Sequence, residues 1–299
     1  MNRRDCLQYL KAIGILSIGN SSVSSQPEIL KRTIPSSGEK LPAIGVGTWQ
    51  TFDVSDAPAE RDPVSEVLKV LFEKGGTVVD SSPMYGRSEG VVGELSEELN
   101  INDKLFLATK VWTTGKESGI RQMNESLRLM KRKQMDLMQI HNLTDWQTHI
   151  KTLRSWKDEG KVRYIGLTHY TESAHDRLVK ILGTEEVDFI QVNFNLLDRN
   201  AENKLLPYAR EKNVAVLVNQ PFESGNLFQR VKGKALPSWA KDIDCTTWAQ
   251  FFLKFIISHP AVTCAIPGTG KPHHMLDNIG AAFGRLPTEK QRQMMINSI

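Results

Sequence analysis

A chain of 299 residues is long enough to bury one large core, and its hydrophobic (40%) and charged (24%) fractions are those of an ordinary globular protein. The formal net charge is +4, of which Arg3, Arg4 and Lys11 against Asp5 supply +2, so only +2 remains for everything else. That balance excludes the basic footprint of a nucleic-acid binder.

The chain opens with MNRRDCLQYLKAIGILSIGNSSVSS. A basic start, a short apolar stretch from Ala12 to Gly19 and small residues with a cleavage site at Ser22-Val23-Ser24 make the layout of an export signal. The stretch is too short for a membrane-spanning helix of about 20 residues, so stable membrane insertion is not expected. Arg3-Arg4 followed by Leu7 resembles a twin-arginine signal, although Cys6 and Gln8 stand where that signal usually has phenylalanine and lysine. The resemblance implies the twin-arginine export machinery as a partner and a periplasmic or exported destination. A frayed basic terminus of a cytoplasmic protein is the alternative. Residues 1–30 are read as this leader and residues 31–299 as one domain. Cys6, Cys245 and Cys264 are odd in number and far apart, so neither a disulfide framework nor a metal site is expected.

Beyond the leader, TIPSSGEKLPAIGVG reads as a β-hairpin with Ser-Gly turn chemistry. From its second arm onward come eight strand candidates: Leu41–Gly47, Thr77–Ser82, Leu105–Val111, Met135–His141, Val162–His169, Asp188–Phe194, Val214–Gln220 and Val262–Gly268. Most are continuous apolar runs, the pattern of strands buried on both faces of a parallel sheet. Segments with apolar residues three and four apart fill the gaps, the first opening at Pro63 and closing at Gly75. Starts from Thr77 to Val214 recur at a nearly constant interval, which predicts a (β/α)8 TIM barrel with an N-terminal β-hairpin. The interval breaks once, where PFESGNLFQRVKGKALPSWAKDIDC separates the last two strands. That insertion reads either as a lid or binding loop at the rim or as an inert surface segment.

Three successive strand candidates carry ionisable residues at or near their C-terminal ends: Asp80, Lys110 and His141, with Tyr85 just beyond the first. In a parallel barrel the C-terminal strand ends converge on one rim. A tyrosine titrates near pH 10 and is a poor acid at neutrality, but a neighbouring lysine favours its phenolate and lowers that pKa. A carboxylate holds the lysine in place, and a histidine can donate a hydrogen bond to a substrate oxygen. The four together make an acid–base device for an oxygen on which negative charge builds.

The chain resembles the aldo-keto reductase family from about Thr33 to its end. The resemblance is carried by GVGTW (Gly45 to Trp49), the segment from Asp80 to Glu89 that closes with MYGRSE, TKVW and IPGTGKPHHMLDN. It implies an enzyme that reduces aldehydes or ketones to alcohols with NADP(H), NAD(H) being possible. Tyr85 is then the general acid, Lys110 lowers its pKa, Asp80 pairs with Lys110 and His141 orients the carbonyl. The implied cofactor contacts are Thr48, Trp49, Asp80, Thr168, His169, Gln191 and Asn219, then Gln220, Phe222 and Ser224 at the pyrophosphate. Gly268, Thr269, Lys271, His274, Asp277 and Asn278 follow at the adenosine end. Gly268 and His274 replace the usual lysine and arginine there, and Asn219 replaces a tyrosine. Trp49, Phe52, Met84 and Trp112 are the expected walls of an open pocket for a small-molecule carbonyl compound. A nucleotide-sensing or interaction protein of the same fold, with little turnover, is the alternative. Oligomeric state is not legible.

Overall fold

The computed structural model describes residues 28–299. The twin-arginine pair, the expected cleavage site and Cys6 lie outside the described residues. The fold begins before residue 31: Ile29 is buried in the core, and Leu30 donates its N–H to Ala282 O and accepts from Ala43 N–H (both 2.8 Å).

The hairpin forms as expected, from β1 (Lys31–Thr33) and β2 (Lys40–Pro42), antiparallel around a turn at Gly38, whose φ of +80° suits glycine. Eight parallel strands follow: β3 (Val46–Gly47), β4 (Val78–Asp80), β5 (Phe106–Val111), β6 (Met135–His141), β7 (Val162–Thr168), β8 (Phe189–Asn193), β9 (Ala215–Asn219) and β10 (Cys264–Ala265). They pair in sequence order, and bridges from Ile44 to Ala265 and from Gly47 to Gly268 close the barrel.

Two boundaries differ from expectation. The continuous run Leu41–Gly47 is two elements, because its first residues pair with the hairpin and only Val46–Gly47 pair with β4. At the other end, Val262–Gly268 reduces to Cys264–Ala265 with isolated bridges on either side of the seam. Backbones crowd on both sides of β3: a Cβ on Gly45 would lie 2.6 Å from Val78 O of β4, and one on Gly47 2.9 Å from Ile266 O at the seam.

The helices are α1 (Pro58–Glu73), α2 (Ser88–Glu98), α3 (Lys116–Leu129), α4 (Trp146–Asp158), α5 (His175–Leu182), α6 (Leu205–Glu211), α7 (Asn226–Arg230), α8 (Trp248–Ile257), α9 (Pro272–Gly280) and α10 (Glu289–Ile296). α1 starts at Pro58, not Pro63. Proline at the first turn has no N–H to satisfy, and the carbonyl that Pro63 leaves free belongs to solvent-exposed Ala59. Thr247 caps α8 and Thr288 with Gln291 forms a capping box on α10. The insertion between β9 and α8 is itself folded, containing α7 and a 3-10 turn at Ser238–Ile243. Phe222 and Phe228 anchor it against Phe252 of α8.

Strand periodicity places the site. Alternate residues face the barrel interior. Near the hairpin the inward set is apolar, with Ile34, Leu41, Phe106, Leu137, Tyr164 and Phe189 packed together. Two or four residues further along the same strands the inward positions become Asp80, Lys110, Gln139, His141, Thr168, Gln191 and Asn219. The hairpin thus plugs one end with hydrocarbon, and polar groups line the other.

Candidate active site

Asp80 ends β4, Lys110 is the last but one residue of β5 and His141 ends β6, so adjacent pairing brings them together. Tyr85 comes from the β4–α2 connection. Lys110 is fully buried. Its Nζ donates to Asp80 Oδ2 and to the Ser81 carbonyl, both at 2.7 Å. It also lies 5.0 Å from the centre of the Tyr85 ring. The rings of Tyr85 and His141 meet edge to face with centroids 6.0 Å apart. The structure therefore brings all four residues into one cluster.

The electrostatics refine the expected roles. Burial lowers the pKa of Lys110, but the attraction of Asp80 and Tyr85 outweighs it, and the ammonium ends above its ordinary value. For Tyr85, burial raises the phenol pKa and Lys110 pulls against it; in the free protein burial prevails and the phenol titrates above its usual value. Lys110 therefore acts in the expected direction without bringing the free phenol below its normal range. His141 is pushed down to about 3, by burial first and then by Lys110 and His169, so its imidazole is neutral.

Two supporting residues, Gln139 and Ser82, were not read from the sequence as functional. Gln139 and the expected Gln191 donate to Asp80 Oδ1 at 3.0 and 2.8 Å, so both carboxylate oxygens are engaged. Ser82 Oγ accepts from Met84 N–H (3.4 Å) and lies 3.1 Å from His141 Nδ1. Donation of the Ser82 hydroxyl to Nδ1 is the arrangement that leaves the proton of the neutral ring on Nε2, facing away from Ser82. The signal for Gln139 was present: it is the one polar amide in an apolar strand, two residues before His141 and on the same face. Gly166 makes room for it, since a Cβ there would stand 3.1 Å from Gln139 Cγ.

Around the cluster, Thr48 is buried and donates from Oγ1 to Ser81 Oγ (2.9 Å). Thr168 Oγ1 donates to Gln191 Oε1 (3.3 Å), joining the expected cofactor contacts to Asp80 through Gln191. His169 is half-buried and stacks on Tyr170. Asn219 Oδ1 is buried with no hydrogen-bond partner among the described residues, an acceptor open to a donor from water or a ligand. Beyond it, Gln220 (φ +46°) and Ser224 (φ +51°) hold left-handed backbone uncommon outside glycine, a strain concentrated at functional loops. Thr269 Oγ1 accepts from Lys271 N–H (3.1 Å), Asn278 is buried, and Gly268, Lys271 and His274 are exposed. Asp277 Oδ1 is engaged by Thr247 and Gln250 of α8, each at 2.9 Å, so it ties helices together. The unpaired Asn219 oxygen at the head of this arc fits a ligand with amide donors, as a nicotinamide has.

The expected pocket walls divide. Trp49, Met84 and Trp112 retain 50%, 38% and 43% of their surface, enough to meet a ligand, and the Trp112 ring lies 6.2 Å from that of His141. Phe52 does not join them. It is fully buried in the layer between strands and helices, so it supports the wall from behind.

A model of the Aldo/keto reductase family matches residues 43–296. Methylglyoxal reductase YeaE of Escherichia coli is 28% identical over 256 residues, 83% of this chain and 88% of that protein. The NADH-specific methylglyoxal reductase of the same organism is 28% identical over 235 residues, covering 67% and 70%. Among solved structures, an aldo-keto reductase from Klebsiella pneumoniae in complex with NADPH superposes with a TM-score of 0.74 at 26% identity, covering 89% of this chain and 94% of that one. With the match spanning the barrel and all four clustered residues, the chain belongs to the aldo/keto reductase family.

Proposed function

We infer that the protein is an NAD(P)H-dependent oxidoreductase that reduces a small aldehyde or ketone to an alcohol. The observation that carries this reading is Lys110 Nζ, held between Asp80 and the Ser81 carbonyl with the Tyr85 ring 5.0 Å away. A reduced nicotinamide, when bound, supplies the hydride. The residues of the chain handle the oxygen. His141, neutral with its proton on Nε2, donates a hydrogen bond to the carbonyl oxygen and orients it. Tyr85 carries a proton at neutral pH and gives it to that oxygen as charge develops there. Lys110 stabilises the phenolate left behind, and Asp80 with Gln139 and Gln191 keeps Lys110 charged and fixed. In the reverse direction the phenolate is the base.

Thr168, Gln191 and Asn219 are proposed to hold the nicotinamide, and Gln220, Phe222 and Ser224 the pyrophosphate. Gly268, Thr269, Lys271, His274 and Asn278 are proposed to hold the adenosine end. The NADPH-bound neighbour favours NADP(H), and the NADH-specific relative keeps NAD(H) in view. The methylglyoxal reductases among the relatives, and the exposed Trp49, Met84 and Trp112, support small aldehydes and a broad range. The test is NADPH oxidation with methylglyoxal and an aromatic aldehyde. Tyr85→Phe should bind NADPH and lose nearly all reduction; equal rates in wild type and variant would overturn the reading. Export is proposed on Arg3-Arg4 and the apolar stretch after them. Replacing both arginines by lysine should retain the protein in the cytoplasm, and unchanged localisation would refute it.

A further inference from the structure

One side chain outside the cluster reaches the loop of the catalytic tyrosine from another part of the rim. Asp53 lies in the β3–α1 connection, shortly after Trp49 and Phe52. Its Oδ1 accepts from the Arg87 backbone N–H (3.0 Å) and from Arg87 Nε (3.4 Å). Its carboxylate also lies against Gly86: a Cβ built there would stand 2.3 to 2.5 Å from Oδ2, Cγ and Oδ1. Gly86 has φ +60°. A side chain at this position is disfavoured by the backbone conformation, and it would also push the Asp53 carboxylate off its place.

The segment Tyr85-Gly86-Arg87 joins the phenol to the first turn of α2. Most other bonds that hold Tyr85 are local. Its N–H donates to Ser82 O (3.0 Å), and its carbonyl accepts from Ser88 N–H (3.2 Å) and Ser88 Oγ (2.7 Å). Those bonds travel with the loop. Asp53, 34 residues before Arg87, fixes it to a different element. The location also suits its charge. The first N–H groups of α2 lack helical partners, and a carboxylate is stabilised at that positive end. Arg87 is the N-cap residue and makes no side-chain cap of its own.

We propose that Asp53 is a positioning residue for carbonyl reduction: it clamps the β3–α1 loop to Gly86 and Arg87 and so sets where the Tyr85 hydroxyl stands over the pocket. The proposal rests on Tyr85 being the proton donor. Reacting groups must approach to about 3 Å, and a displacement near 1 Å costs on the order of a hundredfold in rate, so slack in the connection between β4 and α2 would make a poor support for a general acid.

The experiment compares Asp53→Ala, Asp53→Asn, Gly86→Ala and the double variant Asp53→Ala/Gly86→Ala, with Tyr85→Phe as control. Asp53→Ala should lower kcat about tenfold or more. KM and the NADPH dissociation constant should stay within about twofold, because Asp53 is not among the residues proposed to hold either ligand. Amide exchange across residues 83–88, followed by mass spectrometry, should accelerate. Asp53→Asn keeps an acceptor for Arg87 N–H and should recover much of the rate and the protection. Gly86→Ala should be less damaging in the Asp53→Ala background, where its collision partner is gone. Unchanged kcat and exchange in Asp53→Ala, additive losses in the double variant, or an Asp53→Asn as slow as Asp53→Ala would each overturn the clamp. A wild type as inert as Tyr85→Phe would instead overturn the functional reading, and the exchange rates would then decide the clamp alone.

Discussion

Replacing Lys110 by methionine should destabilise the protein mainly through what it leaves behind. The two side chains are nearly isosteric, so the packing loss is small. Asp80, however, would remain buried with Oδ1 held by Gln139 and Gln191 and Oδ2 stripped of its cation. Removing one partner of a buried ion pair costs about 3–5 kcal/mol. At roughly 2 °C per kcal/mol for a chain of this size, the melting midpoint should fall by about 6–10 °C. Asp80→Asn/Lys110→Met should be less unstable than the sum of the single variants by about 2–3 kcal/mol, since an amide oxygen still accepts from both glutamines and no bare charge remains. Guanidinium unfolding followed by circular dichroism measures all four proteins. Additivity within about 0.5 kcal/mol would refute the claim that Lys110 and Asp80 support one another.

Acid should test His141. Its folded pKa, about 3, lies below the unfolded value near 6.5, so the unfolded chain binds the extra proton and stability falls as pH drops from 6.5 towards 3. His141→Gln should remove about 3 kcal/mol of that loss by pH 4.5, and an unchanged stability–pH profile would contradict the burial argument. Ser82→Ala removes the hydroxyl 3.1 Å from His141 Nδ1 and should lower kcat roughly tenfold with NADPH affinity unchanged, as measured by fluorescence titration. Gln122 grips the Trp112 backbone on both sides, its Oε1 accepting from N–H (2.6 Å) and its Nε2 donating to the carbonyl (3.3 Å). Gln122→Leu should raise KM for an aromatic aldehyde about tenfold while leaving cofactor binding intact; an unaltered KM would remove Trp112 from the pocket wall.

Asp80, Lys110 and His141 were legible because each interrupts an apolar run near a strand end, where parallel pairing leaves one possible meeting place. Tyr85 was legible only through its sequence setting, since a loop residue has no period to fix its direction. The same lack explains Phe52: close to Trp49 in an irregular segment, it turns into the core while Trp49 turns outward. Ser82 and Gln139 were hidden for another reason. Their roles are hydrogen bonds to partners 59 residues away: a local pattern marks Gln139 as an inward-facing amide, but neither it nor Ser82 carries a sign of its partner. The misread ends of the first and last barrel strands are errors of pairing, because an apolar run does not state which neighbour it bonds.

Asp80, Tyr85, Lys110 and His141 all belong to β4–β6 and their connections, whereas the proposed nucleotide contacts fall chiefly on β7–β10 and beyond. Thr168 and Gln191 meet the first group through neighbouring strands, but the adenosine-end segment from Gly268 onward joins the β3 side only when Ile44 bridges Ala265 and Gly47 bridges Gly268. That contact spans most of the chain, and closing so long a loop is the slow, entropically costly step of a folding reaction. The proton-handling half should therefore assemble early, from neighbouring strands, and wait. Recovery of nucleotide binding on refolding should lag behind burial of the first strands and coincide with the last joint in the ring.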